Sequence, residues 1–210
     1  MNAANAVTGI QVPQGPKVEE FFQLDDMALI ARYRRGLEIF DRRLFELSDA
    51  QFDQAFLPEA GVGRWPIRVL VGHLADAELA FVHRMRRAVA ERNPVFAPWD
   101  ENAFIDAGLY AGGQHPVAGF VAAIHTLRRW TAEWLMTLMP EELGRGGMHP
   151  ERGPQTVRTI LAYDTWHLEH HAAFLNAKVC RLLGPVPAEE TVAGKSGGCG
   201  PSCGCRSKQG

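Results

Sequence analysis

The chain has 210 residues, 46% of them hydrophobic, with 22 Lys and Arg against 24 Asp and Glu, a formal net charge of −2 and a pI near 6.4. That is enough apolar material for one sizeable core and one domain with tails, and the charge balance excludes the basic footprint of a nucleic-acid binder. No apolar run has bilayer-spanning length, and "MNAANAVTGIQVPQGPKVEE" lacks the basic start and apolar stretch of a secretory signal; a cytoplasmic protein without membrane or nucleic-acid partners is expected.

Residues 1–22 carry Gly and Pro without periodicity and read as a flexible arm. From Asp25 to Leu47, Met27, Leu29, Ile30, Tyr33, Leu37, Phe40, Leu44 and Leu47 recur mostly at three- and four-residue steps, which predicts one amphipathic helix. A shorter segment around Asp49 to Phe56 follows. In "GVGRWPIRVLVGHLADAELAFVHRMRRAVAER", Pro66 suits a first helical turn, and the second helix is predicted to run to about Glu91. Arg84, Arg86 and Arg87 lie toward its C-terminal end, the side of the dipole that favours cations. "NPVFAPWDENAFIDAGLYAGGQHP" is a long connection broken by prolines and glycines, of a length that is often functional.

A third helix is predicted from about Val117 to Leu138, with Phe120, Ile124, Leu127, Trp130, Trp134 and Leu138 on its apolar positions. A fourth runs from about Gln155 to Leu183 and stops before Gly184 and Pro185. With no convincing alternating strand, the fold class is all-α, a four-helix bundle over residues 23–187. The long connections after the first and second helices allow wiring other than simple up-and-down. Residues 188–210, polar and Gly-rich, read as a disordered tail.

The fourth helix contains "TWHLEHHAAFL", three of the chain's 8 histidines within five positions. Residues four apart on a helix are offset by about 40° in angle and about 6 Å in height, so His167 and His171 point the same way and can share one metal ion. His170 is turned about 100° from His171. A third ligand should come from another helix. His83 falls among arginines, His125 among apolar positions of the third helix, and His115 and His149 beside prolines in loops. His73, flanked by Leu70, Val71 and Leu74, faces inward. Spacing alone does not join them. A lone His-x-x-x-His reads equally as surface or core histidines, and His73 by itself as a satisfied core histidine.

"RWPIRVLVGHLADAE", "FAPWDENAF" and "MHPERGPQTVRTILAYDTWHLEHH" resemble, in order and separation, successive motifs of the DinB/YfiT-like superfamily of metal-dependent enzymes. The resemblance covers roughly residues 25 to 180. It implies a four-helix bundle in which one histidine of the second helix and two of the last bind zinc or nickel, here His73, His167 and His171. Their nearest ring nitrogens should then lie within roughly 3–4 Å of one another. Three neutral imidazoles leave an ion its full charge and an open position, the arrangement of a catalytic site.

The resemblance further implies an enzyme that transfers a low-molecular-weight thiol such as bacillithiol or mycothiol onto a small electrophile. A metal-dependent hydrolase, or a non-enzymatic metal-binding stress-response protein, are the alternatives. Trp99, Asp100 and Glu101 match an aromatic-Asp-Glu element able to line the pocket mouth, although Asp100 reads equally as a helix N-cap. Asp76, three residues after His73, could orient an imidazole or act as a base, and reads at least equally as a helix-surface carboxylate. Arg68 and Arg158 read as surface charges in preference to anion contacts. A homodimer through a bundle face is a further implication of the resemblance. In the tail, Cys199, Cys203 and Cys205 match no standard four-ligand zinc motif; they could hold Cu(I) or zinc, respond to redox state, or stay reduced and idle.

Overall fold

A computed structural model describes residues 13–54 and 64–185. Four principal helices form the bundle: α2 (Asp26–Arg35), α4 (Ile67–Ala90), α6 (Val117–Leu135) and α8 (Val157–Leu183). Short helices α1 (Val18–Phe22), α3 (Asp49–Phe52), α5 (Glu101–Asp106) and α7 (Pro140–Leu143) join them, with a hairpin of β1 (Gly146–His149) and β2 (Gly153–Thr156). No described helix is long and apolar enough to cross a membrane. The tail cysteines lie outside the described residues.

Two apolar clusters fill the bundle, one above the other. Leu29, Ile30 and Tyr33 of α2, Phe81 and Met85 of α4, Leu135 of α6 and Ile160 of α8 meet in the first. Leu70 and Leu74 of α4, Ile124 of α6 and Leu168 and Leu175 of α8 meet in the second, with Phe40 and Leu44. The order in which each helix visits the clusters fixes its direction. α2 and α8 run from the first to the second, and α4 and α6 run the other way. Parallel α4 and α6 require a connection that travels the length of the bundle, and residues 91–116 supply it, so the wiring is not simple up-and-down.

Several expectations need correction. The single first helix stops at Arg35 and continues as two 3-10 turns, Gly36–Ile39 and Arg42–Glu46. Gly36 adopts φ +32°, and a Cβ there would stand 2.7 Å from the Cδ of Arg128, so the break accommodates a buried arginine. The arm is not free throughout, because Phe21 is fully buried in the first cluster and the Pro16 carbonyl accepts a hydrogen bond from Trp166 Nε1 at 2.9 Å. The hairpin replaces an expected loop. Its strands "GGMH" and "GPQT" have no apolar alternation, and backbone pairing from Gly146–Thr156 to His149–Gly153 holds them together.

Arg68 is not a surface charge either. Fully buried, it donates to Asp53 at 2.7 Å, Asp49 at 2.8 Å and the His115 carbonyl at 2.8 Å. Arg158 is tied to Asp26 at 2.8 Å. Trp130 and His125 point away from the core, and the Trp130 ring lies 3.6 Å from the guanidinium of Arg86.

Candidate metal centre and its cavity

His73 lies in the second turn of α4, and His167 and His171 on the facing stretch of α8, between the two apolar clusters. Both helices start firmly, α4 just after Pro66 and α8 at Thr156, whose hydroxyl accepts from the Thr159 N–H at 3.1 Å. The three Nε2 atoms converge. Those of His73 and His167 are 3.2 Å apart, and those of His171 and His167 are 3.0 Å apart. Ligands bonded at 2.0–2.1 Å around a tetrahedral ion stand roughly 3.3–3.4 Å apart, so the geometry fits a divalent metal.

The donor chemistry fits as well. Burial depresses the pKa of His73 to about 4 and holds His171 and His167 well below the ordinary histidine value, the latter two further lowered by their neighbouring imidazoles. All three rings are therefore neutral at pH 7, the form that ligates a metal. Nδ1 of both His73 and His171 is buried without a hydrogen-bond partner among the described residues.

Aromatic rings enclose the cluster. Trp99 stacks on His73 at 5.3 Å between centroids, and Trp65 packs against His73 at 4.9 Å and His171 at 6.1 Å. Trp99 reaches this place because residues 94–96 pair with the hairpin: the Phe96 N–H donates to the Met148 carbonyl and the Met148 N–H to the Pro94 carbonyl, both at 2.9 Å. The connection is thus pinned across the face of α4. Beside the cluster lies a cavity of about 240 Å³ lined by His167, His171, His170, Glu101, Tyr163 and Trp166, and by Arg84, His149 and Arg152.

The expected carboxylates divide. Glu101 lines that cavity. Asp100 caps α5, accepting from the Ala103 N–H at 3.1 Å. Among the described residues Asp76 has no hydrogen bond to an imidazole; it accepts from the Tyr110 hydroxyl at 2.6 Å and lines a second cavity that Trp99 also borders. Tyr110 approaches α4 closely at Gly72, where a Cβ would come within 2.5 Å of its ring. His170 does not join the triad. It lines the cavity, stacks on Trp166 at 5.0 Å and is crossed by the chain at Gly15. Sequence reasoning missed Trp65, Arg84, Tyr163, Trp166 and Arg152, and left His149 in a loop. Position 163, one helical turn before His167, was the available signal for Tyr163.

A family model described as the DinB superfamily matches residues 32–175. The chain belongs to the DinB superfamily. Among similar proteins, one from Bacillus subtilis named "Putative metal-dependent hydrolase YfiT" is 30% identical over 140 residues, 66% of this chain and 74% of that protein. One of the same description from Oceanobacillus iheyensis is 28% identical over 134 residues, 64% of this chain and 74% of that protein. A solved structure of B. subtilis YfiT, described as a probable metal-dependent hydrolase with an unusual four-helix bundle topology, superposes with a TM-score of 0.67 at 22% identity. It covers 82% of this chain and 94% of its own. In this DinB-superfamily chain the three-histidine cluster suits a divalent metal.

Proposed function

We propose that this DinB-superfamily chain is a metal-dependent enzyme in which His73, His167 and His171 hold one divalent ion, zinc or nickel, beside a cavity that admits a small-molecule substrate. The meeting of three neutral imidazoles at one point carries the reading. Packing alone gives no reason for it, since unpaired polar atoms in a core cost free energy. An ion held only by neutral ligands keeps its full charge and supplies Lewis-acid activation of a thiol or water nucleophile.

The chain's own groups do the remainder. Trp65 and Trp99 cover His73 and keep water from its face. Glu101 lines the cavity, which supports assigning it the proton that the nucleophile gives up. Tyr163 and Trp166 offer a substrate an aromatic surface. Asp100 and Asp76 are positioning residues: Asp100 starts the helix that carries Glu101, and Asp76 holds Tyr110 against α4.

The nucleophile we favour is a low-molecular-weight thiol, which makes the enzyme an S-transferase. Glu101 and Glu151 share the cavity lining with Arg84 and Arg152, a mixture suited to a zwitterionic thiol bearing an amine and a carboxylate. Hydrolysis, with water in the same place, is the second reading, favoured by the names of the relatives. A homodimer through a bundle face belongs to the proposal and is checked by light scattering.

Elemental analysis of purified protein should give one ion per chain, lost in His73→Ala. A panel of thiols against electrophiles then decides: product only when thiol is present supports transfer, and product without thiol makes the chain a hydrolase. A bound ion with no turnover in either arm would return it to the non-enzymatic metal-binding class.

A further inference from the structure

Three arginines of the bundle are deeply buried, and two have carboxylate partners. Arg68 pairs with Asp49 and Asp53, and Arg128 with Glu78 and Asp164. Arg84 is the exception. It is 6% exposed, and its one hydrogen bond to the described protein runs from a terminal nitrogen to the Ala97 carbonyl at 2.9 Å. No described carboxylate lies within ion-pair distance of it. A guanidinium carries five donors and stays charged, and a buried charge without a counter-charge is costly. Arg84 lines the same cavity as His167 and His171.

His149 lines that cavity too and is also buried. Its Nδ1 accepts from two backbone N–H groups of the hairpin turn, those of Glu151 at 3.2 Å and Arg152 at 3.3 Å. A ring that accepts at Nδ1 and is neutral carries its proton on Nε2 and is a donor there. Burial and the nearby charges of Arg84 and Arg152 keep it neutral by lowering its pKa. The hairpin turn thus fixes the tautomer of one wall residue, and the next two positions place Glu151 and Arg152 on the same lining.

We infer that Arg84, His149 and Arg152 form a carboxylate-binding subsite, which holds the acid end of the substrate or thiol while its reacting end lies at His73, His167 and His171. The inference rests on the catalytic reading of the three histidines. A guanidinium fork and a neutral N–H donor match the planar, singly charged carboxylate. Glu101 and Glu151 on the same lining oppose two negative charges concentrated on one group, so phosphate is disfavoured, whereas each carboxylate of a diacid brings a single charge to the subsite.

The probes are succinate, its neutral diamide, and inorganic phosphate, titrated calorimetrically into metal-loaded and chelator-treated protein. Succinate should bind both forms, the diamide neither, and phosphate more weakly than succinate. Arg84→Gln should weaken succinate about tenfold or more, the scale of a lost hydrogen bond between charged groups. Exposed Arg152→Gln should weaken it roughly threefold. Both variants should keep the wild-type metal content. If Arg84→Gln does not fold, Arg152→Gln and His149→Gln carry the decision.

Unchanged affinity in the folded variants overturns the subsite. So does succinate binding that vanishes on chelation, because the ion would then be the anchor, and so does phosphate binding tighter than succinate. Failure of the metal reading shows separately, as a wild-type chain that takes up no ion whatever its succinate affinity.

Discussion

Arg128→Met is the sharpest test of what supports the histidines from below. Arg128 reaches from α6 into the centre of the bundle. It donates to Glu78 of α4 at 2.6 Å and to the Asp164 carboxylate of α8 at 2.9 Å, and to the carbonyls of Tyr33 and Asp164 at 3.2 and 3.1 Å. The Tyr33 hydroxyl completes the group by donating to Glu78. Methionine fills much of the volume but strands two buried carboxylates, a loss that costs about 3–5 kcal/mol. For a chain of this size that lowers the thermal midpoint by roughly 6–20 °C. Circular dichroism of urea and thermal unfolding at pH 7 measures it. Burial raises the Asp164 carboxyl above its ordinary value, and without the cation that partly offsets this it disfavours the fold increasingly as pH rises. The gap to wild type should therefore narrow toward about pH 4. The triple change Arg128→Met, Glu78→Met, Asp164→Leu should recover most of the loss, since no charge is left behind. A single variant within about 1 kcal/mol of wild type at pH 7 would refute the claim that the network joins three helices through charge.

Phe21→Ala should cost about 3–4 kcal/mol by chemical denaturation, because the ring is wholly buried; a loss near zero would return α1 to the flexible arm. Gly72→Ala forces a methyl to 2.5 Å from the Tyr110 ring and should cost about 1–3 kcal/mol, partly relieved when Tyr110 is also made Ala. In chelated protein, stability should fall as pH drops from 7 toward 5: the unfolded chain protonates His73 near its ordinary value while the fold holds it neutral to about 4, so the unfolded state binds more protons there. Urea midpoints across that range test this, and His73→Ala should flatten the slope. His167→Ala should abolish tight metal binding, while His170→Ala, outside the triad, should leave stoichiometry at one; equal losses in both would sink the assignment of ligands.

Periodicity made the long helices legible because their buried faces repeat at helical spacing. The pair His167 and His171 was legible for the same reason. His73 was joined to them by the resemblance, as no local rule connects positions 94 residues apart. The break at Gly36 was hidden because Leu37, Phe40 and Leu44 continue the apolar rhythm through it as 3-10 turns, while its cause, Arg128, lies 92 residues on. Arg68 looked like a surface charge because Asp49 and Asp53, its partners, sit on another short helix and its end. The hairpin gave no apolar signal, since its strands are held by backbone bonds and by the segment 94–96. Trp130 shows the reverse error, an aromatic at a core spacing that stacks on Arg86 outside.

The triad combines two kinds of proximity. His167 and His171 are brought together by one turn of α8 and are neighbours as soon as that turn forms. His73 arrives only when α4 docks antiparallel, closing a loop of 94 residues whose entropy is charged to tertiary assembly rather than to any local structure. An ion bound by all three histidines is therefore a removable cross-link between the middle of the chain and its last helix. Its affinity reads out how completely those two helices have met, so a destabilising change anywhere along their contact, far from any ligand, should register first as a faster rate of metal loss.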